Sequence, residues 1–238
     1  MTIESNDTHK APIVDQVYSD IKRRIIRGDL KPNAKLCVRE LCEYYNISDT
    51  PLKQALNRLV AERLVEALPR RGMRVRCITQ KDIHEALETR MMIELYAIPF
   101  VLQSTENDDT VLKRLEENLK RNEELIKATG NFFDYSDKAM EELEISREFH
   151  TIMVECIGNC VILDFYQSTV KHQYVFYQYG KDKANEVLAS LNEHKKIFSF
   201  LKARDEEGLR ATIIEHRKVR EKDATSAMTM TAQNIINR

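Results

Sequence analysis

The chain lacks the features of a secreted or membrane-inserted protein. No apolar run approaches the roughly 20 residues that span a bilayer. The polar segment 1–11 has no apolar core of the kind that a signal peptide needs. The five cysteines are odd in number and include no Cys-x-x-Cys pair, which disfavours a disulfide framework. We therefore expect a reduced, cytoplasmic protein with no membrane partner.

Glycine and proline are scarce after Thr79, and long amphipathic stretches take their place. Their periodicity of about 3.6 residues predicts helices. These cover roughly 80–104, 108–128, 136–157, 159–179, 183–203 and 206–223. Thr79 and Asp82 form a variant of the capping box at the start of the first helix, and we place a domain boundary there. The sequence thus predicts a mainly α protein that ends in an all-helical antiparallel bundle.

The near-neutral net charge of −1 conceals two oppositely charged parts. Residues 10–78 contain 15 Lys and Arg against 8 Asp and Glu, whereas residues 79–238 contain 22 against 28. A basic segment followed by an acidic one is typical of a nucleic-acid-binding domain joined to a domain with another function. We call residues 10–78 the head and residues 79–238 the body.

The basic part carries the pattern of a helix-turn-helix. Apolar residues at 41–45 recur at helical intervals, and 46–48 supplies turn-forming residues. Ser48 is placed to cap the next helix, and Pro51 falls in its first turn, where proline is tolerated. One apolar stripe on this second helix faces a core; it consists of Leu52, Leu56, Leu59, Val60 and Leu64.

Two short strands are predicted after this helix, over 64–68 and 73–77, with residues 69–72 as their turn. In a winged helix-turn-helix the second helix lies in the major groove of double-stranded DNA and cations elsewhere neutralise phosphates. The expected base readers are Thr50, Lys53, Gln54 and Asn57. The expected clamp of the wing consists of Arg70, Arg71, Arg74 and Arg76. The alternative is a solvated basic hairpin on another small domain.

Three histidines of the predicted bundle are spaced so that they can meet. His194 and His216 are equidistant from residue 205, in the break between the last two predicted helices. Residues equidistant from the turn of an antiparallel helical hairpin face each other, and His150 offers a third imidazole. Three neutral imidazoles with an open position suit Zn, Ni or a similar divalent metal. The alternative is ordinary core or surface histidines.

Head and body together resemble a GntR-type transcription regulator of the FadR branch, whose helical effector domain is called FCD. The resemblance extends from about Ile13 to about Glu221. In the head it rests on Leu36-x-x-Arg39-Glu40-Leu41, Ile47-Ser48-x-Thr50-Pro51-Leu52-Lys53-x-Ala55-Leu56-x-x-Leu59 and Pro69-x-x-Gly72-x-x-Val75. In the body it rests on Thr89-Arg90-x-x-x-Glu94, Phe149-His150, Gly158-Asn159 and the paired His194 and His216.

The resemblance implies a regulator that binds operator DNA as a homodimer and responds to a small organic acid; a repressor relieved by that acid is the commoner arrangement in the family, and an activator is the alternative. We expect a disordered tail over 1–10, a winged helix-turn-helix over 11–78, an effector-binding and dimerisation domain over 79–223, and a C-terminal tail over 224–238. Arg39, Thr50 and Lys53 are then operator contacts, and Gly72 allows the wing to approach the minor groove. Lys53 stands where the family norm is arginine, and Asp49 stands where relatives often carry arginine.

The resemblance also implies the effector site. Arg90 corresponds to the carboxylate-binding arginine of the family; its alternative is an exposed arginine paired with Glu94. Asn159 either caps a helix or faces the pocket. Ser146 replaces the aspartate that completes the metal site in metal-binding relatives, which weakens the expected divalent metal site. The aromatic residues are expected in core and dimer packing rather than in a ligand cage; they are Tyr166, Tyr174, Phe176, Tyr177 and Tyr179.

Two other functions remain as alternatives. A metal-dependent hydrolase or lyase would use the three histidines but needs a well-placed general acid or base, and it leaves the basic head without a role. A metal or redox sensor would act through the same head, with Cys156 and Cys160 lying near His150 in the sequence. We expect a DNA-binding regulator and no enzyme.

Overall fold

The structure is a computed structural model that describes residues 11–106, 108–129, 137–170 and 183–236. The chain divides into two compact units, residues 1–77 and 78–238, and each is described by itself. The predicted N-terminal tail lies outside the described residues. So do four of the five aromatic residues assigned to packing, which are Tyr174, Phe176, Tyr177 and Tyr179.

The first unit is a winged helix-turn-helix. Its elements are α1 (Ile13–Arg27), β1 (Lys35–Leu36), α2 (Val38–Tyr45), α3 (Asp49–Ala61), β2 (Val65–Leu68) and β3 (Gly72–Val75). The three strands form an antiparallel sheet in the order β1-β3-β2. The sequence analysis missed β1, because a strand of two residues is too short to show an alternating pattern.

The predicted apolar stripe of α3 forms the core of this unit. Leu52, Leu56 and Leu59 are fully buried, and α3 packs against α1. One local prediction was wrong. Ser48 is the N-cap residue of α3, but its side chain makes no capping hydrogen bond. Asp49 in the first turn instead supplies the negative charge that the start of a helix favours.

The second unit is all-helical within the described residues. Its helices are α4 (Gln80–Ser104), α5 (Thr110–Thr129), α6 (Asp137–Glu155), α7 (Cys160–Val170), α8 (Lys183–Ala203) and α9 (Glu206–Ile236). The capping box at the start of α4 is present, since the backbone N–H of Asp82 donates to Thr79 Oγ1 and the backbone N–H of Thr79 donates to Asp82 Oδ2. None of the helices in the described ranges combines the length and apolarity that a bilayer crossing needs.

The last helix is longer than its amphipathic pattern indicated. We expected it to end near residue 223, before a C-terminal tail, but α9 continues to Ile236. Residues 224–236 contain neither glycine nor proline, so the chain carries no signal that would stop the helix.

A buried ion pair lies in the core where α4 meets α7. Arg90 Nε donates a hydrogen bond to Glu94 Oε1, and the hydroxyl of Tyr166 donates to the same oxygen at 2.6 Å. Arg90 is 8% exposed and Glu94 is 2% exposed. The pairing of Arg90 with Glu94, which the sequence analysis gave as the alternative to effector binding, is therefore present, but in the interior and not on the surface. Removing one member of such a pair leaves the other charge uncompensated.

We predict that Glu94→Gln lowers the free energy of unfolding by about 4 kcal/mol, because it leaves the guanidinium of Arg90 buried without a counter-charge. Tyr166→Phe removes only one hydrogen bond to a charged group and should cost about 2 kcal/mol. Urea unfolding of the full chain, followed by circular dichroism, measures both losses. A Glu94→Gln protein as stable as the wild type would contradict the role given to this pair.

Candidate functional site

The outer side of α3 carries the residues predicted to read bases. Thr50, Lys53, Gln54 and Asn57 are all exposed there, opposite the buried stripe. Thr50, Gln54 and Asn57 make no side-chain hydrogen bond to any residue in the described ranges. Their donors and acceptors are therefore available to a ligand, and the N-terminal half of such a helix fits the major groove of DNA.

Two predicted DNA-contacting cations are paired with acids of their own helices. Lys53 Nζ lies 2.6 Å from Asp49 Oδ2 on α3, and Arg39 Nε donates to Glu43 Oε1 at 3.1 Å on α2. All four side chains are more than half exposed. The sequence analysis compared Asp49 and Lys53 only with the arginines that relatives carry at these positions, and missed that the two residues pair with each other.

The wing is the hairpin of β2 and β3. Leu68 pairs with Gly72, so residues 69–71 form the turn. Arg70 (φ 61°) and Gly72 (φ 87°) both adopt the left-handed backbone conformation, which glycine accommodates without strain. Arg70 and Arg71 are exposed and form no ion pair within the described part of the chain.

The predicted clamp of four arginines is smaller than expected. Arg74 Nε forms an ion pair with Glu66 Oε1, because the two residues are cross-strand partners in the register of β2 and β3. Arg76 is half-buried and is already engaged in an interaction of its own. The exposed, unpaired positive charge of the wing is thus concentrated in its turn.

Three helices of the second unit bring His150, His194 and His216 together. Their imidazole rings are buried, and their ring centroids lie 4.8 to 5.1 Å apart. Nε2 of His150 lies 2.9 Å from Nε2 of His194, and one nitrogen from each ring falls within 4.8 Å of the other two. The pairing of α8 with α9 thus places His194 and His216 opposite each other, as their equal distance from residue 205 indicated.

In two of the three imidazoles, a carboxylate lies close to Nδ1. His216 Nδ1 is hydrogen-bonded to Glu193 Oε2 at 2.6 Å. His150 Nδ1 lies 3.2 Å from Glu94 Oε2, although the ring N–H is not aligned well enough for a hydrogen bond. A carboxylate at one ring nitrogen orients the imidazole and makes the other nitrogen a better metal ligand.

Burial keeps the three imidazoles neutral. It lowers the pKa of His150 to about 4, assisted by the nearby charge of Arg90 and opposed by Glu94. Burial and the neighbouring histidines hold the pKa of His194 well below its usual value. Burial also lowers the pKa of His216, although Glu193 opposes the shift. At neutral pH each ring therefore offers the lone pair that metal coordination requires.

The three predicted effector residues are dispersed. Arg90 is buried and bound to Glu94, so its carboxylate partner is a residue of this chain. Ser146 is half-buried on α6, one turn before His150. Asn159 is exposed, and its Oδ1 accepts the backbone N–H groups of Val161 and Ile162. It therefore caps α7, which was the structural alternative, and the structure does not group it with the histidines.

A small cavity of about 10 Å³ lies between α4 and α9 beside the histidines. It is lined by Arg90, Glu94, His216, Arg217, Arg220 and three apolar side chains, and it has room for about one water molecule. A larger open depression of about 480 Å³ is lined by residues of α5, α6 and α7 and contains none of the histidines. Its arginines are already paired, Arg121 with Glu148 and Arg147 with Glu144.

The sequence analysis did not identify two residues that support the histidines. Glu193 is adjacent to His194 on α8, and mapping the α8–α9 hairpin beyond the histidines themselves would have placed it near His216. Tyr166 was assigned only to packing, and it is indeed fully buried, but its hydroxyl also binds Glu94. No local pattern signals that contact, because 72 residues separate the partners.

Comparison with known proteins agrees with both halves of this architecture. Residues 13–75 match the family described as bacterial regulatory proteins of the gntR family, and residues 85–218 match the FCD domain. The HTH-type transcriptional regulator YdhC of Bacillus subtilis is 26% identical over 207 residues, which cover 86% of this chain and 88% of that protein. The HTH-type transcriptional repressor RspR of Escherichia coli is 24% identical over 224 residues, covering 91% and 90%.

The solved structure of McbR/YncC from E. coli superposes with a TM-score of 0.68 at 21% sequence identity, covering 91% of this chain and 99% of that one. This likeness shows the shared fold. Because the FCD match alone covers more than half of the residues and the gntR match covers the head, the chain belongs to the GntR family of transcription regulators, in the FadR-like branch with an FCD domain, and it is a DNA-binding regulator rather than an enzyme.

Proposed function

We propose that this regulator is a repressor whose FCD domain binds a divalent metal and a small organic acid, and whose affinity for operator DNA changes with that ligand. The observation that carries the proposal is the convergence of three buried, neutral imidazoles with carboxylates behind two of them. Such a regulator acts in the cytoplasm, where its operator lies.

The nitrogen positions are close to those that a metal requires. Zn–N bonds of 2.0 to 2.1 Å in a tetrahedral site imply nitrogens about 3.4 Å apart. The observed nitrogens lie between 2.9 Å and 4.8 Å from one another, so small side-chain movements suffice. His150, His194 and His216 would hold the ion, and Ser146 in place of an aspartate leaves the remaining position to water or to a carboxylate of the effector. Zn and Ni suit this nitrogen donor set.

The effector would bind beside the metal and between α4 and α9. Arg90 and His216 both line the cavity there, but its volume of about 10 Å³ is far too small for an organic acid. Binding therefore requires α4 and α9 to separate. Because α4 directly follows the head along the chain, a shift of α4 changes the placement of the head and hence its affinity for DNA.

A homodimer supplies the two heads that a pseudo-palindromic operator requires, since one head makes few base contacts. Helices α4 and α7 pack against each other and carry large exposed apolar side chains: Met92, Tyr96, Val161 and Phe165. Exposed apolar patches of this kind mark association sites, and we assign this one to a second copy of the chain.

In the DNA complex, Thr50, Lys53, Gln54 and Asn57 read bases in the major groove. Arg39 contacts the phosphate backbone. Arg70 and Arg71 clamp phosphates or the minor groove, where Gly72 allows close approach. This division follows from exposure and pairing, because the readers lie on the outer side of α3 and the wing arginines have no acidic partner in the described residues.

We predict that substitutions on the recognition helix α3 and in the wing turn have different effects on DNA binding. Arg71→Ala should weaken binding to all duplexes about equally and reduce the slope of log affinity against log salt by about 1 per head. Gln54→Ala should weaken binding to selected sequences by about 1 to 3 kcal/mol and leave mixed-sequence DNA unaffected. Fluorescence anisotropy with duplexes selected from genomic fragments measures both effects. Identical behaviour of the two variants would contradict the assignment.

We predict that metal-stripped protein binds about one Zn²⁺ per chain, measured by isothermal titration calorimetry. Glu193→Gln should reduce the affinity about 10- to 100-fold, because it removes the carboxylate that orients His216. Ser146→Asp should increase the affinity, since it adds an anionic ligand one turn from His150. Glu206→Gln, on the exposed start of α9, is the matched control and should bind as the wild type does. No gain with Ser146→Asp would contradict the proposed site.

We predict that an organic acid raises the melting temperature of the metal-loaded protein and releases it from DNA, because it binds the folded state. A thermal-shift panel of sugar acids, hydroxy acids, dicarboxylates and fatty acids, with and without Zn²⁺, identifies the class. Anisotropy with the same acids then measures release. Release by Zn²⁺ alone would favour a metal-responsive regulator, and release by an acid irrespective of metal would show that the histidines bind the effector directly.

A further inference from the structure

Several cations on the surface of the DNA-binding unit are paired with acids of the same unit. Four of these pairs are Arg39 with Glu43, Lys53 with Asp49, Arg58 with Asp15 and Arg74 with Glu66. Arg70 and Arg71 in the wing turn have no such partner within the described residues. Phosphates carry the salt-dependent part of DNA affinity, so the wing turn supplies unpaired charge for unspecific attraction, whereas the one lysine of the recognition helix α3 is already paired.

The pair of Asp49 and Lys53 differs from the others in its position. It occupies the first two turns of α3, on the exposed side that also presents Thr50, Gln54 and Asn57. The side chains of Lys53 and Asp49 are 55% and 56% exposed, and their Nζ and Oδ2 atoms lie 2.6 Å apart. An exposed pair contributes little to stability, so the fold does not depend on it.

The paired side chains keep hydrogen-bonding capacity. The ammonium of Lys53 has three N–H groups, and the bond to Asp49 occupies one. Among the described residues, the second carboxylate oxygen of Asp49, Oδ1, accepts a hydrogen bond only from the thiol of Cys42, and the Sγ–Oδ1 distance of 3.9 Å makes that bond long and weak. The Asp49–Lys53 pair thus carries a free donor and a free acceptor next to each other and has no net charge.

The major-groove edge of a G·C base pair presents the complementary pattern. Guanine offers the acceptors N7 and O6, and the neighbouring cytosine offers the donor N4. We propose that Asp49 and Lys53 act as one neutral unit that reads a G·C base pair of the operator, with Lys53 donating to guanine and Asp49 accepting from cytosine. This inference rests on the proposed role of α3 as the reading helix.

The same pairing limits binding to DNA of the wrong sequence. Lys53 alone would be attracted to any phosphate, but the adjacent carboxylate cancels that attraction and repels the backbone. The pair therefore contributes to binding only where a base pair satisfies both partners. In this arrangement Asp49 sets specificity, and the wing arginines set the strength of unspecific binding.

The test uses the full-length protein and the variant Asp49→Asn, which keeps the shape of the side chain and removes its charge. Duplexes with a randomised 20-base-pair centre are selected by the wild type, and affinities for a selected and a scrambled duplex are measured by anisotropy at several salt concentrations. We expect one G·C pair in each half-site whose replacement by A·T weakens the wild type about tenfold and weakens a second variant, Asp49→Ala, far less, because alanine offers cytosine no acceptor while asparagine still does.

Asp49→Asn should also bind the scrambled duplex more tightly, with a salt slope steeper by about 1 per head, because Lys53 becomes available to phosphates. Lys53→Gln should lose the G·C preference and leave the salt slope of the scrambled duplex almost unchanged, since the wild-type lysine is already neutralised. Glu116→Gln is the matched control: it removes one charge from an exposed Glu–Lys pair with Lys120 on α5 and should change neither property.

Two results would overturn the reading role of the pair. One is an Asp49→Asn protein with the wild-type salt slope and the wild-type base preference. The other is an Asp49→Ala protein with a steeper slope and the G·C preference retained, which would leave Asp49 as a repellent of phosphate only. Both are distinct from failure of the proposed DNA face, in which Gln54→Ala has no effect on the selected sequences either; that result would overturn the inference together with its basis.

Discussion

A single buried carboxylate constrains the helical domain. Glu94 balances the charge of Arg90, accepts the hydroxyl of Tyr166 and lies 3.2 Å from the ring of His150. These contacts involve α4, α6 and α7. Because a charge in a low-dielectric interior needs its partner, none of these side chains can move without changing the energy of the others. The position of His150 in the histidine cluster therefore depends on this network.

In the proposed mechanism, the same network connects ligand binding in the FCD domain to the head. Glu94 and Arg90 lie on α4, and both line the small cavity that α4 shares with α9. A ligand that enters there competes with an existing ion pair for Arg90, so it must rearrange α4 and cannot simply fill a preformed pocket. The requirement for rearrangement is what makes the binding energy of the ligand available to shift the head.

The sequence predicted what local patterns encode. Periodicity located the helices of both domains, the capping box marked the start of α4 at Thr79, and hairpin symmetry brought His194 and His216 together. It did not predict that Glu94 binds Tyr166 or that Glu193 binds His216, because contacts between helices depend on how the helices pack. It also set the end of α9 too early, since loss of amphipathicity does not stop a helix that lacks glycine and proline.

Acid–cation pairs one helical turn apart occur in both domains, and their surroundings decide what they can do. Arg90 and Glu94 are buried, where a charge without a partner is costly, so the pair is part of the core and separates only if another charged group replaces one partner. Lys53 and Asp49 are exposed, where water screens their attraction and a base edge can compete for both. The same spacing on a helix therefore yields a structural element in the FCD domain and, by our inference, a reader of sequence in the head.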